Sequence, residues 1–582
     1  MKASLVLANW LKSIGVKNIF GVTGGSVVHL LHGAEAVGIN VIYTHHEQAA
    51  SFAAEAASRT SEKISVCMVT TGPGGTNAIT GLASAWLDSI SCLFISGQAR
   101  SEDTRALKYV RQSGSQHLDI ISVVKPLTKA TYQLENDPNE LQKILEGIQK
   151  DLFSGRPGPV WLDIPLEFQW ADIKGKVPPL FIKKQSKKSI PDTLYDAIKF
   201  SKRPVFVLGY GCRLSSINQL LIDYCHQNKI PYVLTWNTLD FSAYSNEENC
   251  GLIGISGTRD ANLVINYSDL VVGFGTHLSK MLTGDKLEDF APDAKNIFIL
   301  DLDKSEFLRF NSDERFKCIN FDLKNLDIAS LPSKDSTLTN WVDLYKNLKN
   351  LRTFGIIEEC NKKIPKNSIN QYVIYQLISE NLNNEDVIVV DGGGNVLFSA
   401  LQSLILKNKN RLITGAGIGC MGSGLPEAIG AAASSNEKVI CFIGDGSFQF
   451  NIQELQTIVH HNLNIVIILF NNDGYLAIKN TQDSFFDRRF GVDKESGLSL
   501  PNFKKIILAY GLKYKSFESV HSLKDFTKYF QNAKGPSVIE IKISDLTPLL
   551  PRGGFKKDKN GNNIRRKTWD LIPPIEKLPP RS

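Results

Sequence analysis

The sequence has no apolar run near the ~20 residues that a membrane-spanning helix needs, so no helical membrane protein is expected. It has no Cys-x-x-Cys pair. Its nine cysteines are scattered and odd in number, which argues against a zinc site and favours reduced thiols in a cytoplasmic protein. It has no apolar leader core either: Met1-Lys2-Ala3-Ser4-Leu5 enters an amphipathic pattern directly, so no signal peptide is expected. Nor is the body of the chain strongly charged. The net charge is +7, but residues 551–582 hold nine basic side chains against three acidic ones (Asp558, Asp570, Glu576), a net of +6. The remainder is nearly neutral, which is not the pattern of a nucleic-acid-binding protein.

What is present centres on Gly444-Asp445-Gly446. Residues 438–443 before it form a short apolar run that reads as a buried strand. Ile452, Leu455, Ile458 and Val459 after it fall at helical spacing, and residues 463–470 are a second apolar, β-branched run ending at Asn471-Asn472. Strand, helix, strand closes as two parallel strands with a crossover helix. Asp445 and Asn472 then sit just past the C-terminal ends of their strands, where open parallel sheets bind ligands. A lone Gly-Asp-Gly would read as a tight turn and helix cap. The matched Asn-Asn and the strand context favour a hard cation, Mg²⁺, whose octahedron is completed by diphosphate oxygens and water.

The 582 residues imply about three or four domains. Strand and helix alternate over 1–170, a Lys- and Pro-rich linker follows to about 190, and a second domain spans 191–335. A polar, lysine-rich stretch covers 336–368, a third domain 369–550, and a basic, Pro-containing tail 551–582. The expected fold is α/β, with three doubly wound parallel-sheet domains. Within the second domain, Gly209-Tyr210-Gly211 follows a strand, but no third glycine comes at dinucleotide spacing, so it is a poor Rossmann fingerprint. In the third domain, Gly392-Gly393-Gly394-Asn395 follows the strand 387–391, and such exposed backbone N–H groups suit phosphate oxygens.

Gly-Asp-Gly, the crossover and then Asn-Asn resembles the thiamine-diphosphate (ThDP) fingerprint. His45-His46-Glu47-Gln48-Ala49-Ala50 resembles the catalytic segment of the acetolactate synthase family, and Gly72-Pro73-Gly74-Gly75-Thr76-Asn77 resembles that family's Gly-Pro-Gly-Ala-Thr-Asn turn. Gly155-Arg156-Pro157-Gly158-Pro159-Val160, followed by Asp163-Ile164-Pro165, is similar to the end of its first domain. The resemblance implies a pyrimidine-binding, a central and a diphosphate-binding domain. Glu47, at the start of a helix, would be a surface carboxylate favoured by the helix dipole or the acid that bonds N1′ of the aminopyrimidine. The presence of a diphosphate motif favours the second.

Further roles follow from the resemblance alone. Asp445, Asn472 and the carbonyl of Gly474 would hold the metal. Pro73, Asn77, Gly394, Asn395, Gly419, Gly446 and Ser447 would contact ThDP, with Met421 wedged between its rings, unless Met421 only fills a core gap. Gly25 and Gln116 would line the donor. Gly257, Thr258, Arg259 and Asp301 would contact FAD, although the family's Arg-Phe-Asp-Asp-Arg is replaced by Thr276-His277-Leu278-Ser279-Lys280. In the family, Glu47 and the diphosphate motif come from different subunits, which implies a homodimer or a dimer of dimers.

The departures concern the substrate pocket. The family's Phe-Gln-Glu is Ser115-Gln116-His117 here, and the Met and Trp after Asn-Asn are Ala477 and Thr481. The expected reaction is decarboxylation of a 2-oxo acid, pyruvate, and transfer of the two-carbon unit to an acceptor carbonyl, as in branched-chain amino acid biosynthesis. A wider, wetter pocket also admits a keto-sugar acceptor in polysaccharide or branched-sugar synthesis. A simple 2-oxo acid decarboxylase or lyase is a further alternative.

Overall fold

The computed structural model describes every residue except 108, 175, 182–185, 335–337, 558, 560, 562, 576, 577, 579, 581 and 582. Asp558, Glu576, Lys577 and Arg581 of the basic tail, and residues 182–185 of the first linker, therefore lie outside the described residues.

Three six-stranded sheets, each parallel throughout, account for the body of the chain. With each sheet's strands numbered in chain order, the first (between Asn18 and Pro165) and the third (between Val387 and Lys542) share the order 2-1-3-4-6-5. The second, between Pro204 and Asn320, runs 3-2-1-4-5-6. The third sheet's strand Ile465–Asn471 is buried at every position. That is why it is a continuous apolar run without alternation: helices cover both faces.

In such sheets ligands bind where the strand order reverses. In the first and third sheets that point lies between strands 1 and 3. The chain places glycine-rich turns there in both: Gly24-Gly25 and Gly72-Pro73 in the first, Gly392-Gly393-Gly394 and Asp445-Gly446 in the third. In the second sheet it lies between strands 1 and 4, at Gly209-Tyr210-Gly211 and Gly275-Thr276-His277.

The first and third domains pack through the alanine-rich helix Glu47–Ser61 and the helix Gly424–Ser434. Their apolar residues form one continuous core. The approach is so close that a Cβ on Gly430 would stand 2.0 Å from the carbonyl oxygen of Ala53.

Two segments differ from the sequence reading. Residues 73–77, read as a turn, form a short helix opened by Pro73, whose fixed φ suits the first helical turn. Within the polar stretch 336–368, the helices Thr339–Lys349 and Ile356–Lys363 form. The first buries Trp341, Leu344, Tyr345 and Leu348 against the central core; the exposed polar residues Thr339, Asn340, Asp343 and Asn347 around them mask the apolar stripe. Among the described residues, no helix is long and apolar enough to cross a membrane.

Candidate active site

The strand Val439–Gly444 delivers Asp445 to the first position of a short helix, Asp445–Phe450. The neighbouring strand ends at Asn471, so Asn472 arrives beside it. Asp445 Oδ2 accepts from the backbone N–H groups of Asn472 (2.8 Å) and Gly474 (3.1 Å). Its Oδ1 accepts from Gly446 N–H (2.8 Å) and from Asn472 Nδ2 (3.3 Å). Burial pushes the Asp445 carboxyl up to about 6, against the pull of those three N–H donors. Asn472 Oδ1 is buried and has no hydrogen-bond partner among the described residues. A buried acceptor without a donor costs about 1–3 kcal/mol, and here it lies beside a buried carboxylate. One charged and one neutral hard oxygen, the second unsatisfied, fit Mg²⁺. Gly474 has φ +148°, and a Cβ there would fall 2.0 Å from Val492 O, so only glycine carries the chain past this point.

Asp391 organises the glycine turn 392–394, a role not apparent from sequence, where it only ended a strand. Its Oδ2 accepts from Gly393 N–H (2.7 Å), and its Oδ1 accepts from Gly422 (3.1 Å) and Gly424 (2.9 Å). One buried carboxylate thus ties the Gly392–Gly394 turn to the segment that carries Met421. A Cβ on Gly393 would stand 2.4 Å from Ser447 Oγ, and one on Gly446 would stand 2.4 Å from the Tyr475 ring and 3.4 Å from Met421 Cε. The fold therefore brings Gly393, Gly446, Ser447 and Met421 together beside Asp445 and Asn472. Gly394 faces Ala477 across 3.4 Å in the same sense. Asn395 Nδ2 donates to Gln371 Oε1 at 3.1 Å, and its Oδ1 is buried with no hydrogen-bond partner among the described residues. Gly419, at φ +63°, turns the chain beside Gly392. Lys479, unremarked in the sequence, is buried and donates to the carbonyls of Asn472 (3.2 Å) and Asp473 (3.3 Å).

The second cluster belongs to the first domain. Glu47 is the first residue of its helix, and His46 caps that helix by accepting from Gln48 N–H at 3.2 Å. Glu47 is half-buried, and its Oε2 accepts from Asn77 Nδ2 at 2.9 Å. Asn77 ends the short helix that Pro73 opens. Gln116, at φ +65°, lies over Gly72: its carbonyl accepts from Thr71 Oγ1 (3.1 Å), and a Cβ on Gly72 would meet it at 2.6 Å. A Cβ on Gly25 would have no heavy atom within 4 Å, so the Gly25 backbone borders open space.

Within one chain the two clusters are joined through neighbouring residues rather than directly. The domains join through His45 N–H, which donates to Glu454 Oε1 (3.1 Å), and Asn451 Nδ2, which donates to Gln48 Oε1 (3.1 Å). Both partners lie beyond the far end of the helix that starts at Asp445. No hydrogen bond or ion pair among the described residues links Glu47 to Asp445 or Asn472.

A third site is a cleft of about 340 Å³ at the reversal point of the central sheet. Asp301, Gly209, Tyr210, Gly211 and His277 line it, with Asp88 and Gly417 from the other domains. Burial raises the Asp301 carboxyl and holds His277 below the usual imidazole range. Arg156, also on its wall, bridges Asp303 (2.9 Å) and Glu306 (2.7 Å). An acid at a strand end, a glycine turn and a cation suit a nucleotide. Gly257, Thr258 and Arg259 are not part of this wall. They follow strand 3 of the sheet, on its edge, where Thr258 closes the turn by bonding to Leu252. Arg259 is buried there, and burial lowers it to about 10.

The chain matches three family models: the thiamine pyrophosphate enzyme N-terminal TPP binding domain over residues 1–123, the central domain over 192–314, and the C-terminal TPP binding domain over 391–541. It is 30% identical over 567 residues to the acetolactate synthase large subunit of Porphyra purpurea, covering 92% of this chain and 91% of that one. It is 28% identical over 565 residues to the acetolactate synthase isozyme 1 large subunit of Escherichia coli strain K12, covering 95% and 97%. It is 29% identical over 576 residues to the large subunit from Lactococcus lactis subsp. lactis strain IL1403, covering 94% of each chain.

Proposed function

The chain belongs to the acetolactate synthase family of thiamine pyrophosphate enzymes, and we propose that it decarboxylates pyruvate and transfers the two-carbon unit to an acceptor carbonyl, with Mg²⁺ holding the cofactor's diphosphate. The observation that carries this reading is the buried Asp445–Asn472 pair with its unsatisfied Asn472 Oδ1, set beside the glycine turns. Bound ThDP supplies a carbon nucleophile and an electron sink for the pair released with CO₂.

The residues divide the work. Asp445, Asn472 and the Gly474 carbonyl would hold the metal. The Gly392–Gly394 turn would offer its backbone to the phosphates, and Met421 would pack against the cofactor's rings. Glu47 carries the proton. Asn77 fixes its Oε2, which leaves Oε1 to hold and release a proton in one orientation. Gln116 and the Gly25 backbone border the donor. The family resemblance, together with the lack of any hydrogen bond or ion pair among the described residues joining Glu47 to Asp445 or Asn472 in one chain, supports a two-fold dimer in which each site takes Glu47 from one subunit and the metal set from the other. A flavin nucleotide in the central cleft, with Asp301 on its ribose, completes the proposal.

The test is direct. The purified protein is loaded with ThDP and Mg²⁺, given pyruvate alone, and followed for pyruvate loss and acetolactate by mass spectrometry. Loss of pyruvate with stoichiometric CO₂ upholds the donor assignment. No loss, with or without a carbonyl acceptor, refutes it.

A further inference from the structure

The helix Leu476–Phe485 leaves the cation pair and runs outward. Residues 477, 481 and 485 are spaced by four and share one face. At the inner end, Ala477 lies against the glycine turn, 3.4 Å from a Cβ placed on Gly394. At the outer end, Phe485 is 57% exposed. Phe555, half exposed and belonging to the C-terminal hairpin, meets the Phe485 ring edge to face, at 5.9 Å and 81°. Between them Thr481 is exposed and turns its hydroxyl back to the Ala477 carbonyl (3.0 Å). The face is thus low in the middle and walled by aromatics about 12 Å from its inner end, at 1.5 Å per residue.

The hairpin is fixed to the body of the protein. Gln402 Nε2 donates to Pro551 O (2.8 Å), Arg565 pairs with Asp285 (2.7 Å), and Lys567 pairs with Asp289 (2.6 Å). Trp569 packs on the central core. Phe555 is therefore held over the end of the helix by the fold. The same segment carries the net +6 noted above. Its Arg552 and Lys559 are exposed, with no ion pair among the described residues.

A second pyruvate would occupy only the inner end of this face. We propose that the face binds an acceptor built as a nucleoside diphosphate-linked keto sugar. The base lies on Phe485 and Phe555, the phosphates lie near the tail cations, and the sugar carbonyl reaches Ala477. This rests on the carboligase reading and adds the acceptor class to it. The step balances without an oxidant. Pyruvate loses CO₂, and a bond forms between the carbonyl carbon of its two-carbon unit and the carbonyl carbon of the acceptor. The acceptor oxygen takes the electron pair and one proton to become a tertiary alcohol.

The experiment is calorimetric titration of the holoenzyme, without donor, with UDP, CDP, dTDP, ADP and GDP, and with inorganic pyrophosphate as the control. The same titrations follow for Phe485→Ala and Phe555→Ala, whose exposed rings leave the fold intact, as checked by melting. Base stacking on an aromatic ring is worth enough that its loss weakens binding about ten-fold or more. At least one nucleoside diphosphate should bind more tightly than pyrophosphate, and both variants should lose that advantage. Failure of all five to bind, or equal binding by wild type and both variants, overturns the proposal. Pyruvate loss without acceptor, measured on the same preparations, reports separately on the carboligase reading.

Discussion

Gly430→Ala tests whether the two cofactor-binding domains are locked together as described. Gly430 lies in the middle of Gly424–Ser434, and an added Cβ would stand 2.0, 2.8 and 2.9 Å from the O, C and Cα of Ala53. Carbon contacts are comfortable from about 3.5 Å, so the helices must separate by roughly 1.5 Å. All three atoms are backbone, and no rotamer change relieves them. Overpacking of this kind costs about 3 kcal/mol at the upper end of its usual range. The higher helix propensity of alanine returns about 1 kcal/mol, which leaves a net loss of about 2 kcal/mol. At roughly 2–4 °C per kcal/mol, the melting temperature should fall by about 4–8 °C, read by calorimetry without added cofactor. Activity should fall further, because the displaced helix begins at Glu47, and a 1 Å misplacement of a reacting group costs up to about 10²-fold. Gly25→Ala, which meets open space, should melt within about 1 °C of wild type. If Gly430→Ala melts at or above wild type, as helix propensity alone requires, and keeps its turnover, the close contact of these helices is refuted.

Glu47→Gln should cut turnover about 10²–10⁴-fold while leaving calorimetric ThDP affinity within a few-fold; retained activity would remove Glu47 from the chemistry. Asn472→Ala removes the unsatisfied oxygen and should weaken Mg²⁺-dependent ThDP binding by at least about 10-fold, with unchanged affinity at fixed Mg²⁺ counting against the metal set. Heat-denatured native enzyme should release a flavin identifiable by its absorbance and mass, and Asp301→Ala should release less; a colourless supernatant from wild type would refute the flavin. Burial, with Glu55 and Asp391 nearby, holds the Glu427 carboxyl well above its ordinary 4.5 despite Arg59. The native state then keeps a proton that the unfolded chain gives up, so stability is full below 4.5 and falls as pH rises, by up to about 1.4 kcal/mol per unit. Glu427→Gln should flatten that decline in melting temperature, and parallel pH profiles would show that Glu427 does not cause it.

Elements made by local pattern were legible in the sequence. The apolar runs ending at Gly444 and Asn471 are strands within a residue or two of their expected ends, because a strand buried on both faces leaves a continuous signal. The alanine-rich helix that Glu47 opens was legible from its own composition, and Gly444-Asp445-Gly446 as the junction where the first of those strands hands over to a helix. What stayed hidden depends on partners far along the chain. Asp391 shows its role only when residues 393, 422 and 424 converge on it. The helix Thr339–Lys349 has too many polar residues for its buried stripe to stand out, and it is the central sheet that selects Trp341 and Tyr345 as core. Gly257-Thr258-Arg259 follows strand 3 at the edge of the central sheet, while the reversal point lies between strands 1 and 4, a placement that only the strand order reveals.

The same distinction explains why the cofactor was easier to read than the acceptor. The proposed cofactor contacts are backbone N–H groups and short side chains at strand ends, and strand ends are fixed by the sheet whatever the rest of the chain does. Glycines at these points are demanded by nearby backbone and side chains, as at Gly393 and Gly474, so the motif is written locally. The acceptor face is assembled otherwise. Ala477, Thr481 and Phe485 come from one helix, and Phe555 comes from a hairpin seventy residues later that is held by Asp285 and Asp289 of another domain. No spacing rule connects residues 477, 285 and 555. Neither 477 nor 481 belongs to the buried core, since Ala477 is half-buried against the Gly394 turn and Thr481 is exposed, so a change of side-chain size there alters the length of molecule that the face admits rather than the fold. Thr481→Trp would fill the low middle of that face, and should exclude any acceptor long enough to reach Phe485 while sparing pyruvate loss measured without acceptor.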